Sequence, residues 1–257
     1  MKSIGVPALA CCLLIGSGCS VKENRMECPC RLVLDMTAVD TLTVKEADMY
    51  VLAANGFAFK DVLDSNRFGT TYEVSVPKGQ AKVWVYAGSE DLAGPDGLSI
   101  PYGQDCPEIY MHFSEVDASG EYVREDIVLR KNFCTLSILV DEGKSFDHQI
   151  AVRGNVSGFD SSGSPFPGEF LCNVSFDGRN ECRINIPRQT DSSLKMEVAD
   201  GEKVLRVFAI GEYLDAAGYD WEAQDLKDMT LMLDYALTGV SIRMEGWDEE
   251  FQFNVTI

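Results

Sequence analysis

Cysteine is the residue type with the most chemistry to offer in this sequence, and its nine copies divide by their surroundings. Cys19 ends an uncharged, mostly apolar run from Ile4 to Gly18, which follows a single positive charge at Lys2. That is the layout of a bacterial secretory signal. Gly16-Ser17-Gly18 stands before the cysteine in place of an A-x-A cleavage site. The chemistry expected there is lipidation of Cys19, which then becomes the new N-terminus. The position three before it holds Gly16, where a large aliphatic residue is usual, with Ile15 one step further back. Cys11 and Cys12 leave too short an apolar stretch ahead of them. The run is shorter than the ~20 residues of a spanning helix. No second apolar run approaches that length, so the mature chain is expected to sit on a membrane through lipid rather than cross it.

Six cysteines remain: Cys28, Cys30, Cys106, Cys134, Cys172 and Cys182. An exported chain can keep disulfides, but six cysteines allow many pairings, and those of Cys28, Cys30, Cys106 and Cys134 stay unread. Cys28-Pro29-Cys30 has CxC spacing, yet neither histidine lies near it and no second close pair completes four ligands. No metal is expected. Phe170–Phe176 and Cys182–Ile186 alternate like a hairpin around Asp177-Gly178-Arg179-Asn180. An odd loop centred on Asp177 would set Cys172 opposite Cys182, within disulfide reach. The alternative is two buried thiols.

A nucleophile needs a base, and His112 and His148 are the only histidines. Each lies in or beside a strand-like run, outside any catalytic motif. No G-x-S-x-G elbow, H-E-x-x-H helix or P-loop is present. Carboxylates are so abundant, 41 in all, that accidental pairs are certain and carry no weight for a glycosidase. The expectation is a protein that is not an enzyme and has no cofactor. The net charge of -19 and the lack of a basic stripe argue against nucleic acid as a partner.

The elements that must position these residues read as strand after strand. Thr70–Val76, Ala81–Ala87 and Phe133–Val140 alternate cleanly, and Asn55-Gly56 between apolar runs signals a tight hairpin. Residues 88–107 and 157–168 read as long Gly/Pro/Ser loops. Asp160 and its serines lack the spacing of a calcium loop. A short helix fits only Asp215–Lys227. Trp84, Trp221 and Trp247 are either core residues or a stacking platform for a sugar. Hydrophobic residues at 46% suffice for real cores. The pattern indicates an all-β sandwich architecture. The expected division is a signal over 1–18, a tether over 19–27, and β-sandwich domains over 28–131 and 132–257.

Cys28-Pro29-Cys30-Arg31-Leu32-Val33-Leu34-Asp35, soon after the lipidation site, resembles the FimB-type fimbrial anchor family of Bacteroidales. So do Lys131-Asn132-Phe133-Cys134-Thr135-Leu136, the segment Val152–Asp160, and the closing stretch Leu226–Ile257 with Leu-Asp-Tyr at 233–235 and Gly-Trp-Asp at 246–248. The resemblance spans nearly the whole mature chain. It implies two transthyretin-like β-sandwich domains, export to the outer membrane, and a lipid-anchored minor subunit at the base of a fimbrium. The partner it implies is shaft fimbrillin, joined by strand exchange, in which a strand of one subunit fills a sheet edge of the next. The strand Arg31–Met36 is expected to be retained, because its removal would sever the anchor. The final strand, with Phe251, Phe253, Val255 and Ile257 on one face, either closes its own sheet or is donated to a shaft subunit. A surface lipoprotein that binds glycan or a host protein, as adhesin or tip-type accessory subunit, is the alternative.

Overall fold

The structure, a computed structural model, describes residues 28–88, 96–140, 146, 148–176, 180–234, 239–246 and 250–254. Cys19, the signal and tether over 1–27, Trp247, Val255 and Ile257 lie outside the described residues. Among the described residues the chain is all-β apart from one helix and a single 3-10 turn. In order come β1 (Cys30–Asp35), β2 (Glu46–Ala53), β3 (Phe57–Asp64), β4 (Thr71–Val76), β5 (Gln80–Ala87), β6 (Leu98–Ser99), β7 (Tyr110–Asp117), β8 (Tyr122–Asp126) and β9 (Arg130–Lys131). Then follow β10 (Phe133–Val140), β11 (Gln149–Phe159), β12 (Pro165–Val174), β13 (Glu181–Pro187), β14 (Lys195–Asp200) and β15 (Lys203–Phe208). Helix α1 (Ile210–Ala217), β16 (Met229–Leu233), β17 (Gly239–Met244) and β18 (Glu250–Asn254) complete the chain.

Four sheets result, and their connectivity is traced twice. The first pair is β4-β1-β8 facing β3-β2-β5-β7-β9; the second is β13-β10-β16-β17-β18 facing β12-β11-β14-β15. β1 runs antiparallel to β4 and parallel to β8, as β10 does to β13 and β16. Each pair closes over its own core. Leu32, Leu34, Met49, Val83 and Ile127 fill the first; Leu136, Ile138, Val152, Met196 and Leu231 fill the second. Asn55-Gly56 makes the β2–β3 hairpin as expected, with positive φ at both residues (59° and 72°).

β5 shows how the halves are joined. Val83, Val85 and Ala87 face the first core, while Trp84 and Tyr86 on the opposite face enter the second. Trp84 and Trp221 are buried and so offer no stacking surface. The Tyr86 hydroxyl donates to the Ser161 carbonyl at the tip of the β11–β12 hairpin, 3.1 Å away.

Three expected features differ. The 157–168 stretch is mostly strand: β11 runs to Phe159 and β12 starts at Pro165. β12 is an edge strand, where Pro165 and Pro167 forfeit no central ladder bond. The turn is only 160–164, pinned by the Asp160 carboxylate, whose Oδ1 accepts from Ser162 N, Ser162 Oγ and Ser164 N. The helix is Ile210–Ala217 rather than within 215–227, and it stops at Gly218 in the left-handed conformation (φ 79°). Third, β12 and β13 are no hairpin. They lie in different sheets, so Cys172 opposes Val152 and Cys182 opposes Ile138, and no disulfide joins the two. Both strands aim alternate residues into one shared core, which gives the same pattern a hairpin gives.

The join between the halves is held by Arg188, whose side chain is fully buried. Nε donates to Asn132 Oδ1 (3.1 Å), and Nη2 to the carbonyls of Lys131 (2.6 Å) and Gln224 (3.4 Å). Nη1 donates to the Trp221 carbonyl. Burial pulls its pKa down to about 10, still charged at neutral pH. Removing it leaves several buried acceptors unpaired, at roughly 1–3 kcal/mol each. Arg188→Met is expected to lower unfolding free energy by about 3 kcal/mol or more in urea titration; a loss under about 1 kcal/mol would show that water or rearrangement satisfies the carbonyls.

His112 on β7 ties the first two sheets together. Val128 N–H donates to Nδ1 at 3.2 Å, and Nε2 lies 3.5 Å from Glu125 Oε1 on β8. Burial lowers its pKa below the ordinary 6.5, outweighing Glu125. The unfolded chain therefore takes up this proton first as pH falls. The stability His112 contributes is full above the unfolded pKa and is lost as pH drops from about 6.5 through the folded value. Thermal midpoints of wild type and His112→Gln are expected to differ in slope across that window; parallel curves would remove His112 from the pH response.

Candidate assembly surfaces and ligand cleft

The first candidate surface is the seat of β1. Cys30, Leu32 and Leu34, with Met36 one step beyond the strand, all point into the core at 0% exposure. Burying the two leucines and the methionine is worth roughly 1.5–3 kcal/mol each. Summed, that is comparable to the whole net stability of an ordinary domain. On the other face Arg31 Nε pairs with Glu73 Oε2 (2.7 Å) on β4. Asp35, 4% exposed, pairs with Arg124 on β8 and accepts from Thr37 N–H at 2.8 Å. β1 is thus hydrogen-bonded on both sides along its length, and the chain fills this groove with its own strand.

The second surface is the β16–β18 edge. β17 and β18 extend their sheet past β16, where the first half stops at the equivalent β8. Phe251 and Phe253 are half-buried, and the Phe253 ring stacks on Tyr213 of α1 at 4.5 Å. Of the two fates open to the final strand, residues 250–254 are here paired with β17 in the chain's own sheet. β18 is paired on one side only among the described residues.

The third is a crossing segment that composition reads simply as loop. After β5 the chain passes from the first half onto the second, where β6 pairs antiparallel with Gly158 and Phe159 of β11. Ile100 N–H bonds Ser157 O (2.8 Å), Gly103 N–H bonds Leu171 O (2.9 Å), and Cys106 N–H bonds Asn185 O (2.9 Å). The approach is close enough to need glycine on both sides. A Cβ at Gly158 would overlap the Leu98 carbonyl, and one at Gly97 (φ 84°) would overlap the Phe159 carbonyl. The bulges in β11 fall between Gly154 and Gly158.

Beside this segment lies a cleft of about 1030 Å³. Phe159 forms apolar wall, and Phe166, 58% exposed, stands on the rim. Asp96, Asp105, Asp160, Gln104 and Asn185 supply polar groups. The Asn185 Oδ1 is engaged by the Thr135 hydroxyl at 3.0 Å.

Most of the sulfur and imidazole groups lie in or against the cores. Burial pushes the thiols of Cys134 and Cys172 up to about 12 and about 11, so both stay protonated and poorly nucleophilic. Cys28 is exposed, and Cys30 and Cys106 are buried. His112 Nε2 is 3.3 Å from Ser114 Oγ, but Glu125 approaches the same nitrogen. A base oriented for a nucleophile needs its carboxylate on the opposite nitrogen. His148 packs edge-on against Phe146, with ring centroids 5.3 Å apart. Among the described residues no helix is long and apolar enough to cross a membrane.

No protein-family model matches the sequence, and no curated protein matches it. Solved structures do match. A Bacteroides thetaiotaomicron protein provisionally named as polysaccharide binding superposes with a TM-score of 0.62 at 15% identity, over 88% of this chain and 98% of its own. A Bacteroides ovatus protein provisionally named an adhesin gives 0.61 at 12% identity, over 87% and 96%. The fimbrial anchor protein Mfa2 from Porphyromonas gingivalis gives 0.59 at 12%, over 86% and 98%. At such identities the likeness is one of fold: this chain is built like these fimbrial and adhesin proteins along nearly its full described length.

The crossing segment gives a direct test. Gly158→Val is expected to lift β6 off β11 and make residues 97–107 newly sensitive to limited proteolysis. An unchanged cleavage pattern would mean that the glycine contact does not hold the segment down.

Proposed function

We propose that this protein is a lipid-anchored minor fimbrial subunit that attaches a fimbrium to the outer membrane. Lipid on Cys19 holds it to the membrane, exposed at the cell surface, and its partner is shaft fimbrillin, met through sheet edges and strand exchange. The four sheets are read as two β-sandwich domains, 28–131 and 132–257.

The observation that carries this is the seating of β1. The chain leaving Cys19 enters the fold there, in a strand paired on both sides with its apolar face in the core. Tension on the lipid therefore loads two ladders of hydrogen bonds at once. Cutting β1 away would free the fold from the membrane and open a groove between β4 and β8. A subunit that keeps β1 stays attached and takes no donor strand at that place. The fold shared with the Porphyromonas gingivalis anchor protein supports the reading, as do the motifs at 28–35 and 131–136. The partly covered edge at β18 offers a surface for the shaft, by pairing in place or by donating Phe251 and Phe253 with Val255 and Ile257.

A second reading, a surface lipoprotein that binds glycan, is favoured by the cleft under Phe166. The two roles are compatible in one subunit.

The test is recovery of the protein from outer membranes, beside Cys19→Ala, with mass spectrometry of what accompanies it. Fimbrillin is expected to co-purify with the wild type and to be shed into the medium with the variant. Membrane retention of Cys19→Ala would overturn the lipid anchor, and wild-type protein free of fimbrillin would overturn the fimbrial role.

A further inference from the structure

We infer that the cleft between the crossing segment and the β11–β12 hairpin binds a neutral sugar chain, with Phe166 as its stacking surface and Asp105, Gln104 and Asn185 as partners for its hydroxyls. This deepens the glycan-binding reading above and does not depend on the anchoring one.

The lining selects the ligand class by exclusion. Asp96, Asp105 and Asp160 line the cleft and, among the described residues, no lysine or arginine does, in a chain of net charge -19. Phosphates, sulfates and uronic acids would meet carboxylates with no cation to offset them. An extended peptide needs a free ladder of backbone groups. Here the backbone on the β11 side is already used, with Ile100 N–H on Ser157 O, Cys106 N–H on Asn185 O and β6 on β11, and on the edge strand β12 Pro165 and Pro167 have no N–H to donate to a ladder. A metal ion needs convergent ligands, and among the described residues no three His, Cys, Asp or Glu groups gather closely enough to hold one. A neutral, polyhydroxylated ligand remains. It presents C–H faces to an aromatic ring and hydroxyl groups to carboxylates and amides.

The pieces are placed for that. Phe166 is exposed, as few aromatics among the described residues are, and it opposes Gly158, which has no side chain to screen it. Asn185 has its oxygen held by Thr135, which orients the amide. A cleft of about 1030 Å³ is at the upper end of ordinary ligand sites and has room for several sugar rings.

The experiment is a glycan array of neutral and acidic oligosaccharides probed with the detergent-solubilised full chain. It is followed by calorimetry of the best neutral hit against polygalacturonate. At least one neutral chain is expected to bind, with polygalacturonate silent. Phe166→Ala is expected to weaken binding about tenfold or more, and Asp105→Asn several-fold, with thermal midpoints unchanged because both residues are exposed. Neutral binding that survives Phe166→Ala would overturn this cleft while leaving glycan binding standing elsewhere. Preferred binding of acidic chains would overturn the ligand class. No binding to any sugar on the array would overturn both.

Discussion

A single buried cation organises the middle of this molecule. Arg188 has no solvent contact, and its guanidinium donors end on Asn132 and on the carbonyls of Lys131, Trp221 and Gln224. Taking a charge out of water is expensive unless its donors are met, and here they are met by main-chain oxygens from two separate segments. The backbone therefore has little freedom. Residues 131 and 132 must present their oxygens inward, which fixes where β9 ends and β10 begins. The turn after α1 must do the same. Around this tie lie weaker ones: Arg130 to the Glu222 carbonyl (2.9 Å), and Lys131 to Asp228 (2.7 Å), whose Oδ1 also caps Thr135 N–H. The exposed pairs among these add little alone. Their geometry is set by the arginine beneath them.

With the join fixed, the rest of the interface follows from steric complementarity. The outer face of β5 and β7 carries Trp84, Tyr86 and Met111, which would be an exposed apolar patch if the first half stood alone. The β11–β12 hairpin covers it, and Gly163 at the tip lies against Met111 in the left-handed conformation (φ 79°). In return the first half sends residues 97–107 across β11. Each half thus completes the other's surface, and the two cores are contiguous with one interface rather than joined by a free linker.

The sequence shows the local features well and the long-range ones poorly. Asn55-Gly56 is legible because positive φ at consecutive residues is a local demand that few residue types meet. The alternation of β1, β4, β5 and β10 is legible because each has a buried face. Pairing partners are not. Phe170–Phe176 and Cys182–Ile186 alternate whether they pair with each other or face across a core, so Cys172 and Cys182 read as neighbours when they are not. The repeated topology is invisible as sequence repetition, since strand order depends on which apolar faces meet and not on residue identity. Gly and Pro mislead in one direction: at Gly158, Pro165 and Pro167 they mark a bulged strand and an edge, where composition suggests a loop. The cleft is the least legible feature. Its walls come from 96–107, 159–166 and Asn185, and only the crossing of the chain from one half to the other brings them together.

That crossing also bears on how such a fold could terminate a polymer. A sheet protein that assembles by strand addition must keep some edges closed and leave others open, or it aggregates. Here β1 is locked between two neighbours, β13 is capped at Asn185 by Cys106, and β8 carries Arg124 and Asp126 on its outward face. β15 has a bulge and exposes Val204 and Val207, and β18 is paired on one side. Both of these edges lie in the second half, the first half has its own edge strand in β3 with Val62 exposed, and the chain enters the fold at β1 of the first half. Under the proposed anchoring role, the entry of the chain at β1 faces the membrane and the edges at β15 and β18 are offered to the shaft. That arrangement rests on the seating of β1 between β4 and β8 and on the hairpin β17–β18 beyond β16.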